Sequence, residues 1–404
     1  MSEIQQVTLA DIEAAAEVIE GVAIRTPMAG ARWLSDRADG PVRFKCENLQ
    51  RTGSFKMRGG YVRLSRLSEA QRERGVVAAS AGNHAQGVAL SAQLLGIPAT
   101  VFMPEGAPIP KVNATKGYGA EVVFHGQYLD DSIIRAKEFA AETGAEFIHP
   151  YDHPDIVAGQ GTCGLEIIEQ APDVETVLVP VGGGGVLAGI ALAIKAKNPR
   201  VHLVGVQAAG AAAYPESLAQ GHPVRLRTMQ TMADGIAVGL PGDLPFAAIR
   251  DHVDEVVTVD EDAISRAVLA VAERAKLIVE PAGAVAVAAL MNDPAAYPTP
   301  TVAVLSGGNI DPLLLGKVIR QGMVAADRYL YLEVCIPDLP GGLAGLLNEL
   351  ATSGANVLEV VHERISPRLH LQEVEVHIQV ETRGPEHAQR VREHLAETGY
   401  RLSS

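Results

Sequence analysis

The sequence predicts an α/β fold in two lobes, followed by a small α+β domain, and three observations predict it. Six short, β-branched apolar runs, at residues 76–80, 99–103, 121–124, 176–181, 203–206 and 301–305, alternate with helical stretches such as 83–95 and 186–197. The runs are continuously apolar rather than alternating, so both faces of each strand are expected to be buried, as in parallel sheets between helical layers. The chain is 404 residues long, more than one hydrophobic core usually serves.

The pattern changes after residues 320–327, which mix charge with small residues and are expected to connect two domains. Residues 329–335 and 373–380 alternate with period two, whereas Leu343, Leu346, Leu347 and Leu350 recur at helical spacing. The implied order, strand, helix, strand, strand, helix, strand, is that of a ferredoxin-like domain.

Composition excludes several classes. With 47% apolar and 20% charged residues the chain is globular, and a net charge of -14 without clustered Lys and Arg argues against nucleic acid as a partner. Cys46, Cys163 and Cys335 are too far apart for a disulfide framework or a zinc knuckle, which fits a reducing cytoplasm. The first residues are acidic and amphipathic rather than basic and apolar, so no export signal is expected. The longest uncharged run, 177–194, is broken by Pro180 and four glycines, so a buried strand, loop and helix is expected rather than a membrane span.

Ligands of such sheets bind beyond the C-terminal ends of strands, and there the informative residues lie. Lys56 sits among Gly53, Phe55, Gly59 and Gly60, where small neighbours admit a ligand and an apolar ring desolvates the amine. A desolvated lysine has a lowered pKa and condenses with aldehydes. Ser80, Ala81, Gly82, Asn83 and His84 follow one strand and open a helix, an N-terminus suited to a carboxylate; the plain alternative is a strand-to-helix turn with Ser80 or Asn83 as cap. Gly182, Gly183, Gly184 and Gly185 follow another strand and open a second helix, where a phosphate fits. Ser306, before Gly307, Gly308 and Asn309, offers a neutral hydroxyl to a pyridine nitrogen.

The glycine run also satisfies a dinucleotide fingerprint, but the carboxylate that should close the next strand is replaced by Gln207. No ATP-binding lysine loop, Gly-x-Ser-x-Gly elbow or His-Glu-x-x-His motif occurs, so no metal is expected. The dense segment His149, Pro150, Tyr151, Asp152, His153, Pro154 carries two prolines and reads as an irregular loop with a structural or interlobe role.

An imine-forming amine, two anion cradles and a neutral hydroxyl are what a pyridoxal phosphate enzyme requires. In this order, Gly-Ser-Phe-Lys at 53–56, Ser-Ala-Gly-Asn-His at 80–84, the glycines at 182–185 and Ser-Gly-Gly-Asn at 306–309 resemble the threonine ammonia-lyases (threonine dehydratases) over nearly the whole chain. Ala233-Asp234-Gly235 and the segment from Glu280 to Ala284 look like further family segments.

The resemblance implies a fold-type II pyridoxal phosphate enzyme, with a catalytic domain at 1–320, a small lobe at about 45–155 inserted in a larger one, and a linker at 321–328. It implies that Lys56 binds pyridoxal 5'-phosphate covalently. Phe55 and Asn83 would contact its ring, 182–185 its phosphate and Ser306 its nitrogen. Ser80, Ala81, Gly82, Asn83, His84, Gly235 and Glu280 would bind the amino-acid substrate. The implied reaction is β-elimination of L-threonine, and of L-serine, in a homodimer or homotetramer. Serine racemase or hydroxyaspartate dehydratase of the same fold is the close alternative, and a non-catalytic amino-acid sensor a more distant one. Racemases of this type carry a serine where this chain has Ala81.

Relatives that hold a divalent cation place acidic residues near the strand ending at Val206, where this chain has Gln207 and Ala213. Residues 329–404 look like a single ACT regulatory module. Its effector would be an amino acid held by Asp338, Pro340, Gly341, Gly342, Leu343 and Asn356.

Overall fold

The computed structural model describes residues 6–364 and 372–403. Residues 1–5 of the expected catalytic domain, and 365–371 and 404 of the expected regulatory one, lie outside the described residues. The chain divides into two compact units, residues 1–316 and 317–404.

The first unit holds two sheets. Its strands are β1 (Met28–Gly30), β2 (Val42–Lys45), β3 (Val76–Ala79), β4 (Ala99–Met103), β5 (Glu121–Phe124), β6 (Glu146–Phe147), β7 (Thr176–Pro180), β8 (His202–Ala208), β9 (Glu255–Val259) and β10 (Thr301–Val304). The larger sheet runs β1-β2-β10-β7-β8-β9, parallel except for the β1–β2 pair. The chain between β2 and β7 builds a second, wholly parallel sheet in the order β5-β4-β3-β6. Every residue of β3, β7 and β10 is buried, which is what their unbroken apolarity predicts for strands covered on both faces.

Glycines let the elements beneath the site approach closely. A side chain on Gly87, in the helix Asn83–Leu95, would meet Lys56 at 3.1 Å. One on Gly59 would meet the Ile156 carbonyl at 2.7 Å, so the helices Lys56–Ser65 and Pro154–Gln170 touch by backbone. Under this junction lies an ion network in which Arg58, Glu47 and Lys45 are fully buried and Glu166 is partly so. Arg58 Nε donates to Glu47 Oε2 (2.8 Å) and Arg58 Nη1 to Glu166 Oε1 (2.7 Å), while Lys45 Nζ donates to Glu166 and to the Thr26 carbonyl. Burial alone would raise the Glu47 carboxyl, but Arg58 beside it holds it below the ordinary range.

The second unit contains β11 (Tyr329–Pro337), β12 (Asn356–Glu363), β13 (Glu373–Glu381) and β14 (Arg401–Ser403), with helices Gly342–Thr352 and Pro385–Glu397. Its sheet, β12-β13-β11-β14, is antiparallel throughout. Both the element order and the strand order are ferredoxin-like. Leu330, Leu332, Val334 and Ile336 of β11 join Val374, Val376, Ile378 and Val380 of β13 in the core, as the period of two requires. On the other face, the opposed pair Glu363 and Glu375 brackets His377, whose Nε2 lies 3.2 and 3.7 Å from their oxygens.

One expectation is corrected. Residues 321–325, read as linker, continue the helix Pro312–Ala325, and only 326–328 form a turn. Residues such as Gln321, Met323 and Ala325 that resemble a connector in composition are also good helix formers.

Candidate active site

Residues 80–84 follow β3, 182–185 follow β7 and 306–309 follow β10, so three strand ends deliver the expected segments. The segment at 306–309 runs back along 52–55. Phe55 N–H donates to the Ser306 carbonyl (3.2 Å), Ser54 and Gly307 form an antiparallel bridge, and Gly308 N–H donates to the Gly53 carbonyl (2.8 Å). Ser306, which is buried, is thereby placed beside Lys56, the first residue of its helix.

Lys56 Nζ donates to the Pro150 carbonyl (2.9 Å) and lies 5.2 Å from the centre of the Phe55 ring. Desolvation lowers its pKa to about 8, against an upward pull from Glu280. Glu280 is buried, and desolvation followed by repulsion from Asp234 raises its carboxyl to about 7. Asn83 Nδ2 donates to Glu280 Oε1 (2.6 Å), and Asn309 Nδ2 donates to Asn83 Oδ1 (2.7 Å) and to the Thr52 carbonyl (2.6 Å). This chain of amides fixes which way Asn83 points, and Gly307 is needed beneath it, since a side chain there would meet Glu280 Oε1 at 2.2 Å.

His84 is buried. Its Nε2–H donates to the Ile148 carbonyl, and desolvation, with Lys56 next, lowers its pKa to about 3. The imidazole is neutral and committed to the protein, so at this position the backbone is what remains for a ligand. Ser80 Oγ accepts from Gly82 N–H (3.1 Å) and shapes the turn, while Gly82 stands before the helix Asn83–Leu95 without a side-chain cap.

The helix Gly185–Lys197 likewise has no side-chain cap. Its glycines are enforced by packing. Gly184 has φ +103°, and a side chain on it would meet Tyr214 Oη at 2.0 Å, while one on Gly183 would strike the Tyr151 ring at 2.4 Å. An uncapped N-terminus built of glycines suits a phosphate, and a desolvated lysine suits an aldehyde, so the residues present fit pyridoxal phosphate.

Residues 19–307 match the family described as pyridoxal-phosphate dependent enzymes. The chain belongs to this family. It is 49% identical to an L-threonine ammonia-lyase of Geobacter sulfurreducens over 93% of this chain and 94% of that one. It is 44% identical to an L-threonine ammonia-lyase of Thermotoga maritima over 98% and 99%. Among solved structures, maize serine racemase superposes with a TM-score of 0.74 at 35% identity, covering 79% of this chain and 99% of that one. As a pyridoxal-phosphate dependent enzyme, the protein has pyridoxal phosphate as its cofactor.

In this pyridoxal-phosphate dependent enzyme Gln207 is no ribose ligand. It is fully buried, its Oε1 accepts from Tyr214 N–H (2.9 Å), and its amide faces the Val181 and Ala211 carbonyls. It ties the end of β8 to β7 and to the helix Ala213–Gln220. The segment 149–154, expected to have a structural or interlobe role, reaches the site: Pro150 holds Lys56, and Tyr151 packs on the glycine loop and donates to the Leu240 carbonyl. Asp152 receives the Asp243 and Leu244 N–H groups at another helix start. Its dense polarity was the available signal, but a backbone carbonyl that receives an ammonium leaves no mark in residue type. Asn309 was named only as the end of its segment, with no part of its own, and Lys111 was not named.

Of the expected effector residues, Asp338, Pro340, Gly341, Gly342 and Leu343 share one loop and helix start, and Asn356 lies apart from them within the chain. Gly341 has φ +93° before the helix Gly342–Thr352, and Arg364 engages the Asp338 carboxylate (3.2 Å) at the Pro337 end of the sheet. Asn356 pairs with Glu381 at the opposite end, eight residues along β13 from Glu373, the partner of Pro337. At about 3.3 Å per residue that is roughly 26 Å. Among the described residues, no helix is long and apolar enough to cross a membrane.

Proposed function

We propose that this enzyme converts L-threonine to 2-oxobutanoate and ammonia, and L-serine to pyruvate and ammonia. The observation that carries the reading is a desolvated Lys56 set beside Ser306 and the Glu280–Asn83–Asn309 network, between two uncapped helix N-termini. The names and extensive identity of the Geobacter and Thermotoga relatives support threonine as substrate.

When bound, pyridoxal phosphate supplies an electron-accepting ring that acidifies the Cα–H bond of an attached amino acid. Gly182, Gly183, Gly184 and Gly185 would hold its phosphate. Lys56 Nζ, whose pKa desolvation lowers to about 8, gives up its proton far more readily than an ordinary lysine and serves as the base that takes the α-proton. The backbone of Ser80, Ala81, Gly82, Asn83 and His84 holds the substrate carboxylate. Ser306 would offer the ring nitrogen a neutral hydroxyl rather than an anion, which would favour elimination over transamination. Asn83 is held in one orientation by Asn309 and Glu280, and Gly235 leaves room for Ala282, whose Cβ a side chain there would meet at 2.9 Å. Loss of the β-hydroxyl as water, then hydrolysis of the released enamine, balances threonine against 2-oxobutanoate and ammonia.

Racemisation is the second reading, favoured by the similarity to maize serine racemase, but Ala81 offers no proton donor from the opposite face. Purified protein given pyridoxal phosphate and L-serine or L-threonine should release 2-oxoacid and ammonia in equal amounts with little D-serine. Dominant D-serine formation would reverse the order of the two readings. The ferredoxin-like unit, read as an ACT module, would bind an amino-acid effector in a homo-oligomer. Because Asp338 and Asn356 lie at opposite ends of one sheet, a site using both would require two copies of the chain.

A further inference from the structure

Lys111 stands in the helix Ile109–Gly117 and is unabsorbed by the reading above. Its side chain is only 12% exposed, whereas that of its partner Asp234, 2.9 Å away, is 56% exposed. The anion therefore meets the ammonium from the solvent side. An ammonium carries three donors, and Asp234 takes one of them.

The position of the ammonium is informative. A side chain built on Gly82 would find Lys111 Nζ at 3.9 Å and no other heavy atom within 4 Å beyond its chain neighbours. Open space thus lies beside the uncapped start of the helix Asn83–Leu95, bordered by a cation withdrawn from water. Asp234 opens the short turn Asp234–Ile236, and Ile236 packs against Gly182 of the glycine loop. The carboxylate that steadies Lys111 is consequently anchored to the phosphate cradle rather than to a free loop. The other anion near this cation, Glu280, is occupied by Asn83.

We propose that Lys111 is a specificity-determining residue that pairs with the α-carboxylate of the amino-acid substrate beside Gly82, with Asp234 as the positioning residue that holds its ammonium there. The proposal rests on the reading that residues 80–84 receive that carboxylate. It adds to the backbone N–H groups a charged partner that distinguishes an amino acid from its amide.

The test compares calorimetric binding of L-2-aminobutyrate, which has no β-leaving group, with that of L-2-aminobutyramide, using the holoenzyme and its variants. Wild type is expected to prefer the acid. Lys111→Met should weaken the acid about 10- to 100-fold and the amide little, the usual range for a charge-assisted hydrogen bond. Asp234→Asn should weaken the acid less, and the double variant should match Lys111→Met. Lys111→Gln gives the same reading should the methionine variant not fold, and Lys111→Arg should keep the preference for acid.

An undiminished preference for acid in Lys111→Met, or equal weakening of acid and amide by Lys111→Met and Asp234→Asn, would overturn the proposal, the latter by making the pair a latch between lobes. No acid preference in wild type would overturn it too. Failure of wild type to deaminate threonine or serine would sink the proposed reaction, while the acid–amide comparison would still decide on Lys111.

Discussion

Lys56 is desolvated enough to lose its proton near pH 8, yet Glu280 pulls the other way. Only the neutral amine attacks an aldehyde, so covalent capture of pyridoxal phosphate by the apoprotein should accelerate through pH 8 and level off above it, well below the ordinary lysine value of 10.5. Replacing Glu280 by Gln removes the anion that favours the ammonium, so the midpoint should move to lower pH. Stopped-flow absorbance against pH measures both. A midpoint near 10 in wild type, or an upward move in Glu280→Gln, would contradict the electrostatics described. Lys56, Asn83 and Ser306 were legible in the sequence because amine, amide and hydroxyl each follow a recognisable segment. Glu280 was expected as a substrate residue, and its pull on Lys56 was not foreseen, because 224 positions separate the two and only the fold joins them.

At the scale of elements, the glycine loop is held by what surrounds it. Gly184→Ala places a methyl group against Tyr214 Oη at a left-handed residue, and should cost about 1–3 kcal/mol. Thermal melts and cofactor titration should show both a lower midpoint and weaker binding of pyridoxal phosphate. Beneath the lysine helix, Arg58→Met leaves the fully buried Glu47 without its guanidinium, while Glu166 keeps only Lys45, and should cost about 3–5 kcal/mol in denaturant unfolding. A loss under about 1 kcal/mol would mean the network contributes little. This network also explains why β2 escaped the sequence reading. Arg43 and Lys45 break its apolar run, yet Lys45 is fully buried because Glu166, Gln170 and Thr26 receive its ammonium. β9 was missed for a related reason, since Glu255 and Thr258 interrupt its valines. Strands buried on both faces, such as β3, β7 and β10, were read to within a residue or two.

For the whole molecule, the two-unit division and the ferredoxin-like order followed from a change in hydrophobic period, which survives any packing detail. The boundary did not, because helix-forming residues carried the Pro312–Ala325 helix through the expected linker. Regulation belongs to this scale as well. If the second unit is an effector module, isoleucine or valine added to the full chain should shift the threonine dependence of turnover, and Asp338→Ala should reduce the shift while leaving effector-free turnover in place. Absence of any shift with either amino acid would argue against those effectors.

The lyase reaction on L-threonine turns on Lys56. The most direct measurement is steady-state 2-oxobutanoate release from L-threonine by wild type and by Lys56→Ala, both saturated with pyridoxal phosphate. Wild type should show sustained release and the variant a loss of at least about a thousandfold, since the covalent lysine and the α-proton base disappear together. Sustained release by Lys56→Ala at a rate near that of wild type would contradict that dependence on Lys56.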